Sequence, residues 1–335
     1  MKRFSTIYLH IGPHKTGTTA IQRMADENRA VLARHGILYP SGRWHGQLGS
    51  CFAQNKLAYV YNRHSGFTDL SEINRSDIAY QTRLLQELED SDCQDAVFSY
   101  EGFIDLRTDE IRGLTNFLRD RCDEIRVIAY CRHPLSFAPS EISQRARMGL
   151  PSGRDSSENP PIPRFKLYFE KFANVLGTES FILSDFAKAA LHRNDVRMDF
   201  LNKIGFPDYN KTEIRLSDDP TNESLSAEAV AIAVEMAKSA PDLAQNNLFF
   251  RRYNSLLGSI RGAPIRLSAD EKKLIMTASR PHLEYLQETF GIELREPEES
   301  LSGQVDLFGK KAIESLARQL RGLIDNNGEM ATRGH

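Results

Sequence analysis

The stretch Ile11-Gly12-Pro13-His14-Lys15-Thr16-Gly17-Thr18-Thr19 constrains this chain more than any other. Before it, Thr6 to Ile11 reads as a strand. After it, a segment from about Thr18 to His35 places Ile21, Met24, Val31 and Leu32 near helical spacing, with Gly36 as its stop. Glycines let backbone N–H groups approach an anion closely, and a helix N-terminus adds a favourable dipole. Strand, glycine loop and helix in this order predict a phosphate-binding loop. Gly12 and Gly17 have the spacing of the nucleotide triphosphatase loop GxxxxGK[ST]. The lysine differs: it lies inside the loop at Lys15, and Thr18 takes its usual place. The loop is therefore a related one with different chemistry. Gly12, Pro13, His14, Lys15, Thr16, Gly17, Thr18 and Thr19 form the first candidate binding set.

The first half of the chain continues the alternation. The pattern predicts a helix over 77–88, a strand over 95–100, a helix over 109–118 and a central strand over 125–131. This points to a parallel α/β sheet. Residues 41–75 read as irregular and polar, and they carry the one tryptophan, Trp44. The second half is mostly helical: 134–148, 165–176, a segment capped by Asn194 and ending near Gly205, and helices opened by Ser226 and Ser268. Ser268-Ala269-Asp270-Glu271 is a capping box. Residues 151–163, with four prolines, read as a loop. Residues 1–322 are expected to form a single domain, and 323–335 a polar, frayed tail.

The run from His10 through Gly12-Pro13-His14-Lys15-Thr16-Gly17-Thr18-Thr19-Ala20 to Gln22 resembles the 5′-phosphosulfate loop of sulfotransferases that use 3′-phosphoadenosine 5′-phosphosulfate (PAPS). The similarity is greatest to the heparan sulfate N-sulfotransferase branch and its bacterial relatives. The resemblance implies a P-loop-like three-layer α/β fold, a central parallel sheet flanked by helices and a helix-rich C-terminal half. It implies PAPS as co-substrate, PAP as product and no metal. It gives Lys15 the contact to the bridging oxygen and the 5′-phosphate. The family holds the 3′-phosphate with an arginine at a later strand end and a serine eight residues on. Here Arg132 follows the apolar run Val127–Cys131, and Ser140 lies eight residues later, with Pro134 suited to a first helical turn. An arginine there can give phosphate a forked, charge-assisted hydrogen bond. Leu257-Gly258-Ser259-Ile260-Arg261-Gly262 resembles the glycine-rich basic loop that closes over the nucleotide, which makes Arg261 and Gly262 further candidates. Ile260 departs from the family's more basic pattern.

Sulfuryl transfer needs a cation at the leaving phosphate oxygen and a base for the acceptor's proton. Lys15 fits the first role. Two residues are candidates for the second. Glu101 follows the predicted strand 95–100, in the segment where the resemblance places a catalytic side chain. His45 lies thirty residues after Lys15, near the spacing of a glutamate base in the heparan enzymes.

Composition narrows the rest. The chain has 335 residues, 40% hydrophobic and 26% charged, with a formal net charge of -2. Near-neutrality argues against bulk attraction to nucleic acid or an anionic membrane. No run approaches the ~20 apolar residues of a membrane span. The stretch Ile7–Ile11 is shorter than the ~7–15 residues of a signal-peptide core, which predicts a cytoplasmic protein. Cys51, Cys93, Cys122 and Cys131 have no metal-binding spacing. The acceptor expected from the resemblance is a hydroxyl or amine on a carbohydrate or glycolipid. The competing reading is a P-loop NTPase or small-molecule kinase. It requires a lysine at Thr18 and a magnesium aspartate at a strand end.

Overall fold

The computed structural model describes residues 3–154, 158–207, 214–217, 224–239 and 248–297. The elements follow the sequence in order. β1 (Phe4–His10) leads through the glycine loop to α1 (Thr18–Glu27), α2 (Arg29–Arg34) and β2 (Ile37–Leu38). Then come α3 (Gly46–Phe52), α4 (Val60–His64), α5 (Leu70–Asp90), β3 (Asp95–Ser99), a 3-10 turn (Glu101–Asp105), α6 (Thr108–Arg119) and β4 (Cys122–Cys131). After these lie α7 (Pro134–Arg147), α8 (Phe165–Leu176), β5 (Phe181–Asp185), α9 (Val196–Lys203), α10 (Ala227–Ser239), α11 (Leu248–Ser259) and α12 (Ala269–Phe290).

The described strands form one sheet in the order β2-β3-β1-β4-β5, and every pairing is parallel. Parallel strands are buried on both faces, which is why they read as near-continuous apolar runs. One face packs Ile7, Leu9, Phe98, Val127 and Ala129 against Leu84, Leu114, Phe169 and Phe172. The other packs Val97, Ile128 and Tyr130 against Ile21, Met24, Leu32 and Phe200. The three-layer α/β fold is thus present. β1 connects towards β2 on one side, and β4 towards β5 on the other. The carboxyl ends of β1 and β4 therefore meet at a topological switch point, where open α/β sheets bind their ligands.

The chain divides into two compact units. The first, within 1–133, 163–219 and 279–295, contains the sheet. The second, within 134–162 and 220–278, is helical, with a core of Ala138, Ile142, Ala229, Val230, Leu257 and Ile275. Its α12 opens on the expected capping box: the Ser268 N–H donates to Glu271 Oε2 at 2.7 Å, and the Glu271 N–H to Ser268 Oγ at 3.2 Å. The polar tail expected over 323–335 lies outside the described residues. Among the described residues no helix is long and apolar enough to cross a membrane. All four cysteines are free thiols.

Several local expectations are corrected. The helix expected over 18–35 breaks at Asn28. This buried side chain donates to the Met24 carbonyl at 2.7 Å and to the Arg215 carbonyl at 2.9 Å, and it accepts the Arg215 N–H at 2.8 Å. Asparagine competes with helical backbone bonding in this way. The segment 41–75 is largely helical, holding α3, α4 and the start of α5. Asp69 caps α5 by accepting the Ser71 N–H at 2.8 Å, so the helix opens at Leu70, seven residues before the expected start. The cap of α9 is Asp195 rather than Asn194, which has a left-handed backbone at φ 57°.

Candidate active site

The glycine loop crosses the carboxyl end of β1 with two left-handed residues, Lys15 at φ 67° and Gly17 at φ 79°. At Gly17 a side chain is excluded: a Cβ would stand 2.8 Å from Val196 Cγ1. At Lys15 the conformation costs about 1–2 kcal/mol. Two contacts hold it. Arg132 Nη1 donates to the Lys15 carbonyl at 3.0 Å, and Thr16 Oγ1 donates to the Pro13 carbonyl at 2.5 Å. Gly17 is the N-cap of α1, and no side chain caps the helix there. The first-turn N–H groups of Thr18 and Thr19 therefore face an end suited to an anion.

Beneath the loop lie two buried polar atoms, His10 Nε2 and Thr18 Oγ1, that have no hydrogen-bond partner among the described residues. A Cβ at Gly12 would stand 3.0 Å from the first and 2.9 Å from the second. Backbone cradle, uncapped helix end and orphaned polar atoms together fit a phosphate-bearing ligand. The same crowding gives a prediction. Gly12→Ala should lower stability by about 1–3 kcal/mol, the cost of overpacking a close-packed site. Urea denaturation measures it, and an unchanged midpoint would show that the loop has room for a methyl group.

Arg132 follows the last residue of β4. Besides its bond to Lys15, its guanidinium lies 5.7 Å from the centroid of the Phe186 ring. Burial pushes its pKa down to about 10, so it stays cationic at neutral pH. β1 and β4 are neighbours in the sheet, and this adjacency brings the two sequence motifs together. Ser140 is on α7 in the second unit. Arg261 and Gly262 follow α11 in the same unit and are exposed. Glu228 Oε2 accepts the Ala263 N–H at 2.9 Å, and its carboxylate fills the space a Cβ on Gly262 would need. That packing by itself accounts for a glycine at 262.

Glu101 opens the 3-10 turn just past β3, the strand next to β1. It is partly buried. Among the described residues its carboxylate has no hydrogen bond or ion pair. Burial raises its pKa, the His14 and Lys15 charges oppose that, and Asp105 adds to it. Those electrostatic neighbours tie Glu101 to the phosphate loop. His45 differs. It is 0% exposed, its Nδ1 accepts the Ser99 N–H at 2.9 Å, and its Nε2 faces the Pro40 carbonyl at 3.1 Å. Burial pushes its pKa down to about 4.

Sequence reasoning overlooked one contributor, Lys171, and left another, His10, without a role. His10 was visible only as part of the motif, and its place under the loop follows from strand alternation, which turns it to the α1 face. Lys171, on α8, donates from Nζ to the carbonyls of Ile104 at 2.6 Å and Leu106 at 2.8 Å, gripping the far end of the Glu101 turn. Nothing in its helical surroundings marks it in the sequence.

No protein-family model matches the chain, and no curated protein sequence does. Solved structures similar to it include two sulfotransferase domains. One is the sulfotransferase domain from the Synechococcus PCC 7002 olefin synthase, with 14% identity, covering 88% of this chain and 98% of that one at a TM-score of 0.39. The other is the sulfotransferase domain from the curacin biosynthetic pathway, with 10% identity, covering 88% of this chain and 100% of that one, also at 0.39.

Proposed function

We propose that this chain is a sulfotransferase that moves the sulfuryl group of PAPS to an acceptor hydroxyl or amine. The observation that carries the reading is the loop itself. Its lysine stands inside the turn, and the backbone at that lysine is fixed by an arginine from the neighbouring strand end. Lys15 stabilises the charge that develops on the leaving phosphate oxygen. The backbone N–H groups of the loop and the hydroxyls of Thr18 and Thr19 hold the 5′-phosphate. Arg132 holds the 3′-phosphate. By resemblance alone, Ser140, Arg261 and Gly262 are further candidates for nucleotide contacts. Glu101 takes the acceptor's proton, and its buried position within reach of the His14 and Lys15 charges of the loop supports that role. Bond formation by the acceptor oxygen or nitrogen at sulfur and loss of the phosphate oxygen occur in line.

The acceptor is proposed to be a carbohydrate or glycolipid. Trp44 supports this: it is 51% exposed, with the Arg43 guanidinium 5.6 Å from its ring centroid. It adjoins His45, whose N–H donates to the Ser99 carbonyl at the end of β3. An exposed aromatic face beside a cation suits a sugar ring bearing acidic groups.

Arg132→Ala separates its two roles. Loss of the 3′-phosphate contact should weaken PAP binding by about 1.5–3 kcal/mol, the scale of a hydrogen bond to a charged group. AMP, which lacks the 3′-phosphate, should bind as before. Calorimetry with both ligands tests this. Equal losses for PAP and AMP would mean that Arg132 only braces the loop.

A further inference from the structure

The turn that opens at Glu101 lies two residues past Ser99, the last residue of β3, and Ser99 is held on all its polar groups. Its N–H donates to His45 Nδ1 at 2.9 Å. Its carbonyl accepts the His45 N–H at 3.1 Å and Gln22 Nε2 at 3.3 Å. Its Oγ meets His10 Nδ1 at 2.8 Å. The His45 ring is wedged between Tyr39 and Phe98, at centroid distances of 4.6 and 5.3 Å. With Nδ1 accepting from a backbone N–H and Nε2 facing the Pro40 carbonyl, only the neutral Nε2–H tautomer satisfies both partners. A proton on Nδ1 would point at the Ser99 N–H.

We infer that His45 is a positioning residue: it holds both backbone groups of Ser99, fixes the turn that carries Glu101, and takes no proton from the acceptor. The inference deepens the proposed function and rests on Glu101 as the base. It explains why a histidine near the spacing of a catalytic residue is sealed from solvent. The ring acts through the backbone of β3, two residues from the carboxylate that does the chemistry. Ser99 also joins this clamp to His10 beneath the phosphate loop. The donor loop and the base are thereby braced by one buried polar network, in which every member's geometry depends on the others.

Two NMR measurements test the assignment without any acceptor. The first uses the 15N-histidine-labelled wild-type protein, with the His45 signals assigned by their absence in H45N. The expected result is the Nε2–H tautomer, with no titration between about pH 5 and 9. A His45 ring that titrates near neutrality would overturn the inference. The second follows the Glu101 carboxyl by 13C, assigned with E101Q, in wild type, H45N and H45F. The groups facing Glu101 are His14, Lys15 and Asp105, and Arg29 lies near His45; none of these is altered. In H45N the amide Oδ1 replaces Nδ1 as acceptor for the Ser99 N–H, so the raised Glu101 titration should be kept. In H45F the turn loses its anchor, and the titration should fall towards the ordinary value. An unchanged Glu101 in H45F would contradict a positioning role. Wild-type sulfuryl transfer by E101Q would instead sink Glu101 as the base while leaving the clamp on Ser99 intact, so the two failures are distinguishable.

Discussion

Lys15→Ala should turn over PAPS about 100- to 1000-fold more slowly than the wild type, the usual loss on removing one group aimed at developing charge. The effect should appear in kcat. PAP binding should weaken far less, because the backbone donors of the loop and Arg132 remain. The structure explains why one side chain carries so much. The Lys15 backbone is left-handed, at φ 67°, and its carbonyl is pinned by Arg132. The ammonium is thereby presented from a fixed backbone, and a fixed cation loses little energy to reorganisation at the transition state. Alanine tolerates this backbone no worse than lysine does, so the variant should keep its fold. PAP formation followed over time in K15A, with binding measured on the same preparation, checks both halves. Near-normal turnover would refute the role given to Lys15.

Glu101→Gln is the second large effect, expected at about 100- to 10,000-fold, the range for a general base. Its pH signature is specific. Burial holds the Glu101 pKa above the ordinary glutamate value. Wild-type turnover should therefore climb as pH rises through that raised value, and E101Q should lack this limb. Stability should move the other way. The unfolded chain releases this proton at a lower pH than the folded one. The stability linked to the protonated form is thus lost as pH rises from the unfolded towards the folded pKa. E101Q should then be more stable than the wild type at neutral pH, and the gain should vanish below about pH 4. Urea denaturation at two pH values reads this sign. A catalytic carboxylate that costs stability is the pattern expected of a functional group held in an unfavourable environment.

Much of the fold was legible because the strands are buried on both faces and the helices between them carry clear apolar stripes. The end of α8 at Leu176, followed by Gly177 at a positive φ of 85°, and the capping box at Ser268 rest on chain-local chemistry. Three features were not legible. β2 is two residues long, too short for periodicity to register, and exists by pairing with β3. The break at Asn28 depends on Arg215, 187 residues away. The helices within 46–64 are short and owe their packing to tertiary contacts: Gly46 and Gly49 leave space into which the rings of Tyr61, Tyr100 and Tyr59 fit. The site divides along the same line. The phosphate loop and Arg132 could be read from motif and spacing. The difference between Glu101 and His45 could not, because both are titratable residues at plausible positions. It is set by burial and by bonds to Ser99, which only the folded chain defines.

Calorimetric titration of the wild-type protein with PAP and with ADP, both without magnesium, asks whether the loop and Arg132 select a nucleotide carrying a 3′-phosphate. PAP should bind tightly and ADP little. Equal binding of the two, or ADP binding that requires magnesium, would contradict that selection and favour a nucleotide triphosphatase or kinase.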